Sequence, residues 1–151
     1  MILDERNEFC DATALNTGAA GTYLIGDQID LGVARDVGNG QPMYLVITVD
    51  TLPTSGGSAT AQFSLASDAS ASIATDGSAS VHLQTKAFAI SEMAAGTVLA
   101  AIALPMEGVA YERYLGILQT TGTAAFTGGK INAFLTHDVA KWKSYDAPFQ
   151  A

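Results

Sequence analysis

Apolar and polar residues alternate along this chain with a period of two, and turn residues interrupt the alternation at short intervals. In residues 59–67, Ala61, Phe63 and Leu65 face one way while the polar residues between them face the other. Pairs such as Asp76-Gly77 readily adopt the positive φ angles that tight turns require. Alternation of this kind is typical of half-buried β-strands. The pattern therefore predicts an all-β protein.

Candidate strands can be located from the same pattern. Eight of them lie near residues 22–25, 28–33, 43–51, 59–67, 79–84, 97–104, 111–120 and 130–138. This spacing favours a β-sandwich or jelly roll of antiparallel strands over alternating β and α units. Strand 111–120 is apolar on both faces, so we expect it to be central. Residues 55–58 and 67–80 are rich in Ser, Ala and Gly and predict exposed loops or short edge strands. Residues 91–95 predict one helical turn capped by Ser91.

The two ends of the chain do not follow the strand pattern. We predict an N-terminal arm and loop over residues 1–21, a sandwich domain over 22–138 and a C-terminal tail over 139–151. The tail contains the candidate partner-binding residues Trp142, Tyr145, Phe149, Lys141 and Lys143. Two interpretations are equally open. The tail folds over the end of its own sandwich, or its aromatics anchor the protein on a neighbour, because buried aromatics tend to dominate interface energies.

Charge and hydropathy exclude two classes of partner. The net charge is −8, with 7 basic residues and no basic cluster, so direct binding to nucleic acid is not expected. The longest apolar stretch, residues 97–105, is well short of the roughly 20 residues of a membrane helix. Charged residues are only 15% of the chain. That low share fits a surface partly hidden against partners or a large core, and composition does not separate the two.

Residues that could support chemistry are few and scattered. Cys10 is the single cysteine and is expected to be a small buried apolar residue. His82 and His137 lie on different predicted strands without metal-ligand spacing, so we expect each to be satisfied by local hydrogen bonds. Residues 122–131 end in Gly-Gly-Lys but depart from a phosphate loop, and they predict a hairpin turn. We therefore predict no catalytic residue, no metal site and no cofactor, and hence no enzyme activity.

Two stretches of the chain resemble a known family. Residues 29–50 read IDLGVARDVGNGQPMYLVITVD, and residues 104–118 read LPMEGVAYERYLGIL. With the opening Met-Ile-Leu-Asp, they resemble the capsid cement, or decoration, proteins of short-tailed bacteriophages, typified by the Bordetella phage cement protein. Members share L-G-x-x-R-D-x-G-x-G-x-P-x-Y-L-x-x-x-V-D and a later E-R-Y-L. The resemblance covers nearly the whole chain in order but does not extend to residues 138–151.

The resemblance carries expectations about fold, partners and location. It implies a jelly roll on the outer surface of an icosahedral virion, made in the bacterial cytoplasm, that bridges major capsid proteins and associates with itself, often as a dimer. It implies no catalytic residues. The family motifs hold the positions that we expect to define the fold more than the contact surface: Arg35, Asp36, Asn39, Gly40, Pro42, Glu112, Arg113 and Tyr114.

The motif residues also have structural roles that simple physics predicts. Asn39-Gly40 forms a turn, and Pro42 fixes the start of the next strand. Arg35 either pairs with a carboxylate such as Glu112 or stays solvated, because isolated surface pairs contribute only about 0–1 kcal/mol. Arg113 is expected to be a partly buried arginine that joins two strands.

Two rival functions are kept. A carbohydrate-binding or host-adhesion module would need an exposed aromatic platform, for which Tyr23, Tyr44, Tyr111 and Tyr114 are available. A small cupin-type enzyme would need a cluster of metal-binding histidines. Bound glycan would indicate the first, and bound metal the second.

Overall fold

Antiparallel strands make up most of the structure. This is a computed structural model, and it describes residues 4–35, 37 and 40–139. Nine strands lie in that part of the chain: β1 (Glu8–Ala14), β2 (Gly21–Asp30), β3 (Tyr44–Ser55), β4 (Thr60–Asp68), β5 (Ser80–Gln84), β6 (Phe88–Ala89), β7 (Val98–Ala103), β8 (Tyr114–Gly122) and β9 (Phe126–Thr136). Two short 3-10 turns, Glu5–Asn7 and Ile90–Glu92, accompany them.

The strands form two sheets with the connectivity of a jelly roll. Sheet A has the order β1-β9-β3-β7, and sheet B has the order β2-β8-β4-β5, with β6 extending the β5 edge along β4. Except for β4 to β5 and β6, successive strands alternate between the sheets, which is the winding of two Greek keys. The predicted all-β jelly-roll sandwich is confirmed, and β8 is central, as its two apolar faces predicted.

The hydrophobic core lies between the two sheets. Alternate residues of β3, Leu45, Ile47 and Val49, point into it and meet Leu115 and Ile117 of β8 in one buried cluster. Cys10 belongs to this cluster, as predicted, and burial raises the pKa of its thiol to about 12. Full burial of a Leu or Ile side chain contributes about 1.5–3 kcal/mol, so the core provides the main stabilisation of the sandwich.

Several element predictions were wrong at the local level. The segment 1–21 contains β1, which pairs with β9 through two register shifts. The predicted strands 22–25 and 28–33 are one strand, β2, with an irregularity between Ile25 and Ile29. Residues 123–125 join β8 and β9, which lie in different sheets, so this connection is not a hairpin. The helical turn begins after Ala89, whose N–H donates to Oε2 of Glu92, rather than at Ser91.

Loop 69–79 was predicted to be exposed, but part of it is buried. Its Ile73 is buried on the outer face of sheet B, where it packs with Ala66 and Leu118. Asp68 anchors the start of the loop, because its carboxylate accepts hydrogen bonds from the N–H groups of Ser70 and Ala74, at 3.0 Å each. The loop therefore forms a lid over part of sheet B.

One end of the sandwich carries the longest connections. The strand pairings place Asp30, Tyr114 and Asp68 next to one another in sheet B. They place Tyr44, Ala103 and Thr136 next to one another in sheet A. Loops 31–43, 69–79 and 104–113 therefore leave the sheets at this end, which we call the motif end. No helix in the described ranges is long and apolar enough to span a membrane.

Candidate functional site

The two family motifs meet at the motif end of the sandwich. Their loops, 31–43 and 104–113, are joined at both bases by backbone hydrogen bonds. Leu31 N donates to Arg113 O at 2.9 Å, and Leu104 N donates to Met43 O at 2.8 Å. Each loop therefore begins beside the residue at which the other ends. We call the described residues of these two loops the cap.

An ion pair between Arg113 and Asp30 reinforces one base of the cap. Arg113 Nε donates to Asp30 Oδ1 at 2.8 Å, and Nη2 donates to Oδ2 at 2.9 Å. The hydrogen bonds from Arg113, with one from Gly32, lower the pKa of Asp30 to about 2. Arg113 also lies over the ring of Tyr114, with 4.9 Å between Cζ and the ring centroid. The arginine joins the end of β2 to the end of loop 104–113 rather than two strands as predicted, and it is exposed rather than partly buried.

Of the two alternatives predicted for Arg35, the pairing with Glu112 is not present. Arg35 is exposed, and the ion pairs within the described residues are Arg113–Asp30 and Lys86–Glu92. Glu112 instead fixes the cap to sheet B, because its N–H donates to Ser67 Oγ at 2.9 Å and its Oε1 accepts from Ser80 Oγ at 2.9 Å. The motif glutamate therefore serves loop anchorage.

A second anchor joins Ser67, His82 and Tyr111. Ser67 Oγ lies 2.7 Å from His82 Nε2, and the imidazole stacks on the Tyr111 ring with 3.9 Å between centroids. Tyr111 is buried and donates from its hydroxyl to Pro105 O at 2.9 Å. Burial lowers the pKa of His82, while Glu112 and the backbone of Val109 act in the opposite direction. The prediction of a locally satisfied strand histidine is confirmed.

The Ser67–His82 pair has the contact of a catalytic dyad but not its accessibility. A nucleophilic serine must reach its substrate while a histidine takes its proton. Ser67 is 0% exposed, and its oxygen already accepts the N–H of Glu112. The arrangement holds a loop in place and gives no route for attack on a substrate.

Exposed apolar side chains occupy the outer part of the cap. Val33 is 61% exposed, Met106 54% and Val109 56%, whereas Val37 and Leu104 are buried in the core cluster. Large apolar side chains on an anchored loop are a common feature of contact surfaces. These three residues were not predicted from the sequence, although an apolar Met and Val beside Gly108 in a turn segment were a usable signal.

Two further residues of the first motif, Pro42 and Gly40, lie where the structure describes the chain. His137 Nδ1 lies 3.0 Å from Pro42 O, and because a carbonyl only accepts, Nδ1 carries the proton. Gly40 has a φ of 85°, as the predicted turn requires. Asp36 and Asn39 lie outside the described residues, as do the five tail candidates Lys141, Trp142, Lys143, Tyr145 and Phe149.

Two concave regions are lined by described residues outside the cap loops, and the first includes Asp30 at a base of the cap. A cleft of about 410 Å³ is lined by Glu5, Arg6, Glu8, Asp27, Gln28, Ile29 and Asp30. A cavity of about 120 Å³ lies beneath loop 69–79 and is lined mainly by small side chains, including Ala79 and Thr75. Within residues 4–35, 37 and 40–139, no three His, Cys, Asp or Glu side chains form a group that could hold a metal ion.

The tyrosines required by the adhesion hypothesis are not brought together. Tyr23 donates to Ala19 O in the loop at the opposite end of the sandwich. Tyr111 is buried against His82, and Tyr44 lies on sheet A while Tyr114 lies on sheet B. The four side chains therefore do not form one exposed platform.

Comparison with known proteins identifies one family. The family model described as Bbp16 matches residues 9–135, from the first strand to the last. The matched region includes both loops of the cap and their anchors. A search of curated proteins found no match.

Proposed function

Because this chain belongs to the Bbp16 family, whose name suggests a Bordetella phage protein, we propose that it is a capsid cement protein. It binds the outer surface of an icosahedral phage shell and bridges major capsid proteins. The observation that carries the proposal is the cap, in which Val33, Met106 and Val109 are each more than half exposed on loops with fixed bases. We assign the cap as the surface that meets the major capsid protein.

The cap has the physical properties of a docking surface. Its apolar side chains lose water on contact, at about 25 cal/mol per Å² of buried apolar area. Its anchors through Asp30, Ser67 and His82 order the loops before binding. A preorganised surface loses less conformational entropy on binding than a free loop would. The motif stretches thus supply contact residues as well as the fold-defining residues that the sequence indicated.

Stabilisation of a shell by this protein requires no catalysis. A ligand that binds the assembled shell more tightly than separated subunits shifts the equilibrium towards assembly by mass action. Many identical copies on one particle make a modest affinity per contact sufficient. The net charge of −8 suits the outer surface, because packaged DNA would repel the protein. In this account the protein is not an enzyme and is virion-associated.

We propose a second copy of this chain as the other partner, with a dimer favoured. The support is β7, an edge strand of sheet A with the sequence VLAAIA and no charged side chain. The other edge of sheet A, β1, carries Glu8 and Asp11. An open uncharged edge can pair with another strand, and two chains of charge −8 repel least where neither presents carboxylates.

The dimer is tested by analytical sedimentation of the purified protein. Ala101→Lys should lower the mass of the sedimenting particle, whereas Leu52→Lys should not.

The docking proposal is tested with capsids that lack the protein. The purified wild type should co-sediment with these capsids and raise the temperature at which they release DNA. Val33→Asp, Met106→Asp and Val109→Asp should each reduce binding. Leu52→Asp is the matched control, because Leu52 is 50% exposed on β3 away from the cap. Equal loss of binding in the control, or full binding by all three cap variants, would contradict the assignment of the cap.

A further inference from the structure

A histidine on an edge strand is one of the contacts that hold loop 104–113 against sheet B. His82 is on β5, and it contacts Ser67 of β4 and Tyr111 of the loop at the same time. Tyr111 in turn closes the loop on Pro105. The exposed Met106 and Val109 lie between these two residues in sequence, so the contacts of His82 restrain the segment that presents them.

The protonation state of His82 follows from the hydrogen bonds of Ser67. The Ser67 oxygen accepts the N–H of Glu112 at 2.9 Å, and its own single proton must go to an acceptor because the side chain is fully buried. Within the described residues, that acceptor is His82 Nε2, 2.7 Å away. Nε2 must therefore be unprotonated while this arrangement persists. A proton on Nε2 would leave the Ser67 hydroxyl proton buried without a partner, which costs about 1–3 kcal/mol in other proteins.

Among residues 4–35, 37 and 40–139, few charged groups lie around His82. Glu112 faces it from loop 104–113, and its charge favours the protonated imidazole. His82 is the one ionisable side chain of β5. Asp68, next to Ser67 on β4, turns its carboxylate to the backbone of loop 69–79. Arg113 is engaged with Asp30. Burial outweighs Glu112, so the pKa of His82 lies below its ordinary value, in agreement with the hydrogen-bond assignment.

We infer that His82 is a positioning residue for the docking cap, and that its protonation releases loop 104–113 and weakens binding to the shell. The inference rests on the proposed docking function. The binding-competent loop requires neutral His82, so the apparent affinity falls in proportion to the neutral fraction. Affinity should therefore be constant above the pKa of His82 and fall by up to about tenfold per pH unit below it.

The test compares the pH profile of capsid binding for the wild type and three variants between pH 8 and pH 4.5. His82→Gln, which cannot titrate, should bind with a flat profile. His137→Gln removes the other described histidine at the motif end and should retain the wild-type profile. Ser67→Ala removes the hydrogen bond that favours neutral His82, so its loss of binding should occur at higher pH. A flat wild-type profile, or a profile abolished by His137→Gln but not by His82→Gln, would overturn the inference.

A measurement without capsids separates this inference from the docking proposal. NMR signals of the amides of residues 106–112 should shift with the titration of His82 in the free wild-type protein. The same signals should not titrate in His82→Gln, and those of residues 123–125 at the opposite end should not move in either protein. If the loop titrates with His82 but no capsid binds at any pH, the docking proposal fails alone. If capsids bind but the loop signals stay fixed, the role of His82 fails alone.

Discussion

Arg113 holds both carboxylate oxygens of Asp30 across a separation of 83 residues in sequence, with distances of 2.8 and 2.9 Å. Asp30 ends β2 where the first motif loop begins, and Arg113 lies where the second motif loop ends. The pair therefore connects the two motifs that carry the family resemblance. Asp30 belongs to the IDLG stretch and Arg113 to ERYL.

The first prediction concerns the ionisation of Asp30. Its pKa in the folded protein is about 2, below the ordinary value, so the pair contributes stability above the unfolded pKa and loses it as pH falls through about 2. Arg113→Ala should return the Asp30 pKa towards its ordinary value, measured by carbon NMR of the carboxyl group. Arg35→Ala, at an exposed arginine of the same cap, is the control. An Asp30 pKa that is unchanged in Arg113→Ala would refute the assignment.

The second prediction concerns the close approach of β1 and β2 at Gly26. Gly26 has a φ of 70°, and a Cβ there would lie 2.0 Å from the carbonyl oxygen of Phe9 and 2.6 Å from Cys10 Sγ. Gly26→Ala should lower the free energy of unfolding by about 2–5 kcal/mol, because left-handed backbone strain and overpacking add. Chemical denaturation would measure it. Gly32 also has a positive φ but has open space around it. Gly32→Ala should therefore lose less stability, and the difference between the two variants measures the effect of the clash.

The third prediction concerns the buried amide of Gln119. Its Oε1 accepts from Asn16 N at 2.9 Å, and its Nε2 donates to Asn16 O at 3.1 Å and to Thr121 Oγ1 at 2.9 Å. Gln119→Glu should destabilise the protein by about 2–5 kcal/mol at pH 7, because a carboxylate is buried without a compensating cation. Burial raises the pKa of such a carboxyl, so the loss should shrink as pH falls towards about 4. A loss of stability that is independent of pH would contradict the burial of the carboxylate at this position.

The fourth prediction concerns the lid formed by loop 69–79. Ile73→Ala should cost about 2–4 kcal/mol, because Ile73 is buried against Ala66 and Leu118. Val81→Ala is the matched control on the neighbouring strand, where the side chain is exposed, and it should change stability by less than about 0.5 kcal/mol. Thermal unfolding would compare them. Limited proteolysis should cleave loop 69–79 faster in Ile73→Ala, and equal cleavage in both variants would argue against a packed lid.

The sequence predicted the architecture well because inward-facing residues repeat every second position where strands are regular. β4 and β8 follow that rule, and their alternation located them. β1 was missed because its register with β9 shifts twice, and Ala12 has a φ of 44°, so its side chains do not alternate regularly. β2 was divided in two because Gly26-Asp27 has the composition of a turn, while the chain continues through an irregular pairing instead.

The candidate site was only partly predictable from sequence. The motifs identified Arg113 and Glu112. Their contacts with Asp30, Ser67 and Ser80 could not be predicted, because they depend on which strand ends lie at the same end of the sandwich. A jelly roll brings distant segments together by sheet order, and sequence spacing does not encode that order. The contact of His82 with Tyr111 is a further case, because one residue is on an edge strand and the other is in a loop that crosses between sheets.

The most direct test of the docking cap is an electron cryomicroscopy map of mature capsids saturated with this protein. The account predicts one sandwich-shaped density per binding site on the outer surface, with loops 31–43 and 104–113 against the major capsid protein and Val33, Met106 and Val109 at the contact. Capsids that bear no added density would contradict the cement function. Bound protein whose cap points away from the shell would contradict the surface assigned here.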